Sequence, residues 1–157
     1  MLSTIHTNSA AGAIPRFLSM GVKPFLLAPS LNSIIGQRLV RKICPSCVEE
    51  DSLGGEVQEK VVSLLSALPE RERQNIDLNN LKFYHGKGCE KCSGLGYKGR
   101  IGIYEIFTMN KEIEQIILGG KVSEYTIEEL AVKNGMVTMV QDGLLKALEK
   151  ITSVEEV

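Results

Sequence analysis

The stretch Cys89-Glu90-Lys91-Cys92-Ser93-Gly94-Leu95-Gly96-Tyr97-Lys98-Gly99-Arg100, with its earlier echo Cys44-Pro45-Ser46-Cys47, decides how this chain is read. The four cysteines fall as C-x-x-C, 41 intervening residues, C-x-x-C. A two-residue spacer lets both sulfurs of a tight turn reach one ion, and two such turns supply the tetrahedral thiolate set that a structural Zn²⁺ prefers. The glycines after Cys92 let backbone N–H groups turn toward the sulfurs. Three other readings compete. Adjacent C-x-x-C pairs make poor disulfide staples, and no signal-peptide pattern accompanies them. A redox pair would sit between the strand and helix of a βαβ unit, which neither does. Four thiolates also suit an iron–sulfur centre. Zinc bound by Cys44, Cys47, Cys89 and Cys92 is the favoured reading. His85, four residues before Cys89, could replace a thiolate but is expected beside the site or at the surface.

Bulk properties narrow the class. At 157 residues the chain is long enough to bury a core. Lys and Arg number 18 against 19 Asp and Glu, so no global charge points to nucleic acid or acidic lipid. Trp is absent and aromatics are 5%, which disfavours base-stacking platforms. Apolar runs are broken well short of a membrane span. Free thiols and this composition predict a cytoplasmic protein.

Along the chain, Leu2–Ile5 reads as a strand ending at His6. Because the sequence starts inside that strand, a piece of a longer protein is expected. A helix from Ser9 to about Met20 follows, kinked or delayed by Pro15. This strand, turn and helix start would face orphan N–H groups toward an anion. A second helix is expected over Leu26–Ile35, interrupted at Pro29. Gln37–Ile43 reads as a strand leading to Cys44, with Arg38, Arg41 and Lys42 on a solvated face or meeting a phosphate or acidic partner. Between the cysteine pairs, the spacing predicts a helix over Glu56–Leu68, a short helix and turn over Arg71–Asn80, and a strand over Phe83–Gly86. Arg100–Phe107 is the clearest strand. Helices are expected over Lys111–Leu118, from a capping box at Thr126 to Lys133, and over Val137–Glu149. The tail from Ser153 reads as a capped helix start.

Taken together, Ser3-Thr4-Ile5-His6-Thr7-Asn8-Ser9-Ala10, Gln37-Arg38-Leu39-Val40-Arg41-Lys42-Ile43-Cys44, the Cys89–Arg100 stretch, Gly99-Arg100-Ile101-Gly102-Ile103-Tyr104-Glu105 and Gly135-Met136…Asp142-Gly143-Leu144 resemble the secretion ATPases that drive type II secretion and type IV pilus assembly. The resemblance runs in order over the whole chain. It implies an α/β fold: residues 1–43 as the C-terminal part of a RecA-like P-loop ATPase core, 44–99 as a tetracysteine zinc-binding subdomain with a helical insertion, and 100–157 as a strand with a helical C-terminal subdomain. It places His6 in the family's histidine box near the nucleotide phosphates, and Thr4, Asn8 and Arg38 at the nucleotide site or a subunit interface. It implies a homohexamer, ATP and Mg²⁺ in the full-length parent, and inner-membrane platform proteins as partners. The protein would be cytoplasmic and held at the inner membrane through them. The tetracysteine element argues for assembly or secretion, because retraction motors lack it.

One departure limits the expectation. No G-x-x-x-x-G-K-[ST] occurs in the sequence, so the phosphate-cradling loop and its lysine are missing. The chain alone is expected neither to hydrolyse ATP nor to bind it at micromolar concentration. The alternative class is a self-contained zinc-knuckle module binding protein or nucleic acid, disfavoured by near-zero charge and few aromatics.

Overall fold

The computed structural model describes residues 1–120 and 122–157. Among the described residues the chain is mixed α and β, with two small two-stranded sheets. Its order is α1 (Ala13–Ser19), α2 (Pro24–Ser30), β1 (Ser33–Ile43), β2 (Val48–Asp51), α3 (Gly55–Ser66), α4 (Glu70–Arg73), β3 (Phe83–Gly86), β4 (Tyr97–Thr108), α5 (Lys111–Leu118), α6 (Glu124–Lys133) and α7 (Met139–Leu148). Single 3₁₀ turns lie at Glu90–Cys92 and Val154–Glu156. Among the described residues no helix is long and apolar enough to cross a membrane.

The long strands β1 and β4 pair with each other. Both are rich in β-branched and aromatic residues, which suit a pleated surface. β2 and β3 pair antiparallel, with Val48 opposite Gly86 and Asp51 opposite Phe83. The chain divides into two units, one of residues 1–37 and 105–138, the other of 38–104 and 139–157.

In the first unit the core gathers Ile14, Leu27, Phe107, Ile113, Ile117 and Ile127. Ile113 and Ile117 recur at i, i+4 on α5, so one stripe of that helix is buried while its glutamates stay out. Asn110 accepts the Ile113 N–H at 2.9 Å and starts the helix where the hydrophobic spacing begins. In the second unit Val40, Ile103 and Met139 pack together. α3 buries Val61 and Leu65 and packs on α7, where the Gln141 amide donates to the Leu64 carbonyl at 2.9 Å.

Several expectations are corrected. Leu2–Ile5 forms no strand, and Met1 and Leu2 are fully exposed. The segment has no ladder partner among the described residues, and a lone extended stretch leaves its backbone groups to water. The helix expected to Ile35 ends at Ser30, with Leu31 already extended at ψ 129°. Beyond it, β-branched Ile34 and Ile35 join β1, and Asn32 accepts the Met109 N–H at 2.9 Å. α6 begins at Glu124, capped by Ser123, whose hydroxyl accepts the Thr126 N–H at 3.1 Å. Thr126 is therefore inside the helix and does not open it. The tail forms a 3₁₀ turn, and Ser153 makes no side-chain cap. β2 has no counterpart in the sequence reading: Val48-Glu49-Glu50-Asp51 is too acidic to read as a strand, and only its pairing with β3 makes it one.

Candidate metal centre

β1 delivers Cys44 and β3 leads to Cys89, so the ends of two different sheets bring the cysteine pairs together. The first knuckle closes with the Cys47 N–H on the Cys44 carbonyl at 3.2 Å. The second closes as a 3₁₀ turn, with Ser93 and Gly94 in the left-handed region at φ 54° and 76°. The knuckles also hold each other. The Cys44 N–H donates to Gly96 and the Lys87 N–H to Cys47, both at 2.9 Å. Their backbones meet where Gly86 faces Gly96, and a Cβ on either would overlap the other's carbonyl.

All four sulfurs lie within 4.8 Å of one another. Cys44 to Cys89 is 3.9 Å, Cys47 to Cys92 is 3.8 Å and Cys89 to Cys92 is 3.7 Å. These separations exclude bonded sulfurs, which sit ~2.05 Å apart. A metal–sulfur bond of ~2.3 Å places tetrahedral sulfurs about 3.8 Å apart, so the cluster fits one four-coordinate ion. A cage this small leaves no room for a cluster of several irons.

The electrostatics agree with that fit. The Cys89 and Gly96 N–H groups each donate to the Cys92 sulfur at 3.2 Å. The Cys89 N–H is the larger influence holding the Cys92 thiol down to about 6, against the burial that opposes ionisation. Burial pushes the Cys47 thiol the other way, to about 12, and the neighbouring thiols add to it. Four sulfurs this close cannot all ionise on their own. A divalent cation would supply the missing countercharge, as thiolate sites require.

His85 stands outside the thiolate set. It lies on β3 opposite Glu49, with its Nδ1 3.6 Å from an Asp51 oxygen.

In the first unit, His6 and Asn8 line one open groove of about 400 Å³ with Thr7, Gly12, Arg16 and Glu124. Thr4 and Arg38 are exposed and are not among its lining residues. Two carboxylates hold the turn that follows His6. Ser9 donates its hydroxyl to Glu124 and accepts the Gly12 N–H at 3.0 Å. The Ala10 N–H donates to buried Glu105 at 2.5 Å. Gly36 leaves room for that carboxylate, since a Cβ there would lie 2.8 Å from the Glu105 Cγ. Sequence reasoning missed Glu105 and Glu124. Glu105 had one signal, a lone acid in the apolar run Ile103–Phe107; Glu124 had none, because its partner is 115 residues away.

The structure thus defines a mixed α/β chain that carries a cluster of four cysteines sized for one metal ion. The chain belongs to the type II/IV secretion system protein family, whose model matches residues 1–157. It is 42% identical over its full length to the type IV pilus assembly ATPase PilB of Thermus thermophilus, covering 16% of that protein. It is 41% identical to the PilB of Pseudomonas aeruginosa and 40% to the type II secretion system protein E of Dickeya dadantii, again over its full length. It covers 26% and 28% of those proteins. The chain therefore spans between about a sixth and somewhat over a quarter of the length of these relatives.

Proposed function

We propose that this chain is the C-terminal portion of a hexameric ATPase motor that powers type IV pilus assembly or type II protein secretion. The observation that carries the reading is the full-length match to relatives of both kinds, joined to a four-sulfur cage sized for one metal ion. In this reading residues 1–43 complete a RecA-like core, 44–99 form a zinc subdomain, and 100–157 form the helical C-terminal subdomain. Zn²⁺ is structural: four protein ligands close its coordination and leave no open position for a reacting water. It fixes the two knuckles against each other across the helical insertion.

ATP and Mg²⁺ belong to the whole motor. Phosphoryl transfer needs a backbone cradle, a lysine, Mg²⁺ and a group that orients water. Of these the chain offers an edge. His6 reaches the phosphates from the groove it shares with Asn8 and Arg16, and Thr4 and Arg38 act at the nucleotide site or a subunit boundary. The motor is a homohexamer that works against inner-membrane platform proteins from the cytoplasmic side.

The test is paired. Titration calorimetry of ATP into the 157-residue chain is expected to show no micromolar binding. Micromolar affinity takes about 8 kcal/mol, whereas a helix terminus contributes on the order of 1 kcal/mol to an anion. In the full-length protein, His6→Ala is expected to lower turnover while zinc content and hexamer stay intact. Micromolar ATP binding by the chain, or unimpaired turnover in the mutant, would refute the placement of the site.

A further inference from the structure

The last residues of the chain lie along the end of β1, immediately before the first metal ligand. The Ile43 N–H donates to the Ile151 carbonyl at 2.9 Å, and the Thr152 hydroxyl donates to the Arg41 carbonyl at 2.8 Å. Glu156 then closes on Arg41 from both sides. It accepts the Arg41 backbone N–H at 2.8 Å and the guanidinium at 2.5 and 3.0 Å. The same guanidinium sits 4.3 Å over the Tyr97 ring, and the Tyr97 hydroxyl is 2.7 Å from that of Ser153. Thr152 and Ser153 have no exposed surface at all.

These bonds converge on two backbone segments, one leading into Cys44 and one following Gly96. Arg41 to Ile43 run directly into Cys44. Tyr97 directly follows Gly96, which donates its N–H to the Cys92 sulfur and accepts the Cys44 N–H. A strap that pins residues 41–43 and 97 therefore sets where the Cys44 and Cys92 sulfurs stand before a metal arrives.

We propose that residues 151–157 are a positioning strap for the metal centre, with Arg41, Glu156, Tyr97 and Ser153 as its fastening. The strap orders one segment of each knuckle in advance, which removes part of the entropy cost of closing the cage. Coupling of this kind is reciprocal, so metal binding must tighten the strap by the same factor by which the strap tightens the metal. The inference rests on the four cysteines holding a metal ion but is independent of the motor reading.

The test measures zinc affinity of the full chain by competition with a chromophoric chelator, and amide exchange with and without zinc. Glu156→Gln keeps the shape and removes the charge. It is expected to weaken zinc by about threefold to fivefold, the size of a partly exposed, geometrically good ion pair. Tyr97→Phe, which removes one hydroxyl, is expected to weaken it less but measurably. Lys82→Met, which breaks a surface pair with Glu50 away from the strap, is the control and leaves affinity unchanged. Chelation is expected to release the Arg41 and Ile43 amides together with the tail, while the amides of α5 keep their protection. If Glu156→Gln and Tyr97→Phe bind zinc within twofold of the parent and merely melt earlier, the strap stabilises the fold without positioning the ligands and the proposal falls. Tail protection unchanged by chelation overturns it equally. A chain that takes up no zinc at all overturns the metal reading itself and this inference with it.

Discussion

The backbone of Gly86 lies against that of Gly96 with no space for a side chain between them. This contact is the point at which the two knuckles interlock. It lies one residue before Tyr97 and three residues before Cys89, and Gly96 also supplies an N–H to the Cys92 sulfur.

A methyl group at either glycine is therefore expected to prise the cage open. Gly96→Ala is the worse of the two, because Gly96 also adopts φ +78°. Zinc affinity should fall by about 100-fold or more, at or beyond the upper end for loss of an outer partner. Chelator competition on Gly86→Ala and Gly96→Ala measures it, and near-parental affinity in both would contradict the packing described.

Cys44→Ser separates the two units. Residues 38–104 should lose amide protection first, since the proposed metal would hold their knuckles together. The first unit has its own core around Ile113, Ile117 and Ile127, so α5 and α6 should keep theirs. Uniform loss of protection along the chain would show that the units do not fold separately.

The buried Glu105 gives a prediction for the first unit. Glu105→Leu removes the acceptor of the Ala10 N–H and leaves that donor without a protein partner. The expected cost is about 1–3 kcal/mol, read as a lower denaturation midpoint with the zinc content unchanged. Gly36→Ala presses on the same carboxylate and should cost a similar ~1–3 kcal/mol.

The Arg41 guanidinium holds the Glu156 carboxyl below the usual carboxylate range. A depressed acid contributes stability that is complete above its ordinary value of about 4.3 and is lost as pH falls through its folded value. The stability gap between the parent and Glu156→Gln should therefore be present at neutral pH, at about 1 kcal/mol or less because Arg41 is half exposed. It should close as the pH drops below about 4. A gap that persists unchanged to pH 2 would mean that Glu156 acts by packing and not by charge.

The four-cysteine cluster was legible because spacing constrains it: a C-x-x-C turn has few ways to place two sulfurs. Strand β4 and helix α5 were legible for a similar reason. β4 is dense in β-branched and aromatic residues although Glu105 interrupts its buried face, and α5 has an unbroken helical period with the boundaries read from sequence. What the sequence concealed depends on distant partners. Leu2–Ile5 has strand composition but no neighbour to pair with, while the acidic β2 has strand geometry because β3 provides one. The roles of Glu105, Glu124 and Glu156 come from backbone N–H or hydroxyl donors 95 to 115 residues away. No local pattern encodes such a pairing. The Ile34-Ile35 pair fits either period as two apolar neighbours, and the strand that β4 completes decides between them.

The most direct test of the central claim is X-ray absorption on the purified chain, combined with elemental analysis. One zinc per chain with four sulfur scatterers at ~2.3 Å is the result expected of this cage. Iron with visible absorbance, fewer than four sulfurs around the metal, or a metal-free chain with its cysteines oxidised would contradict it.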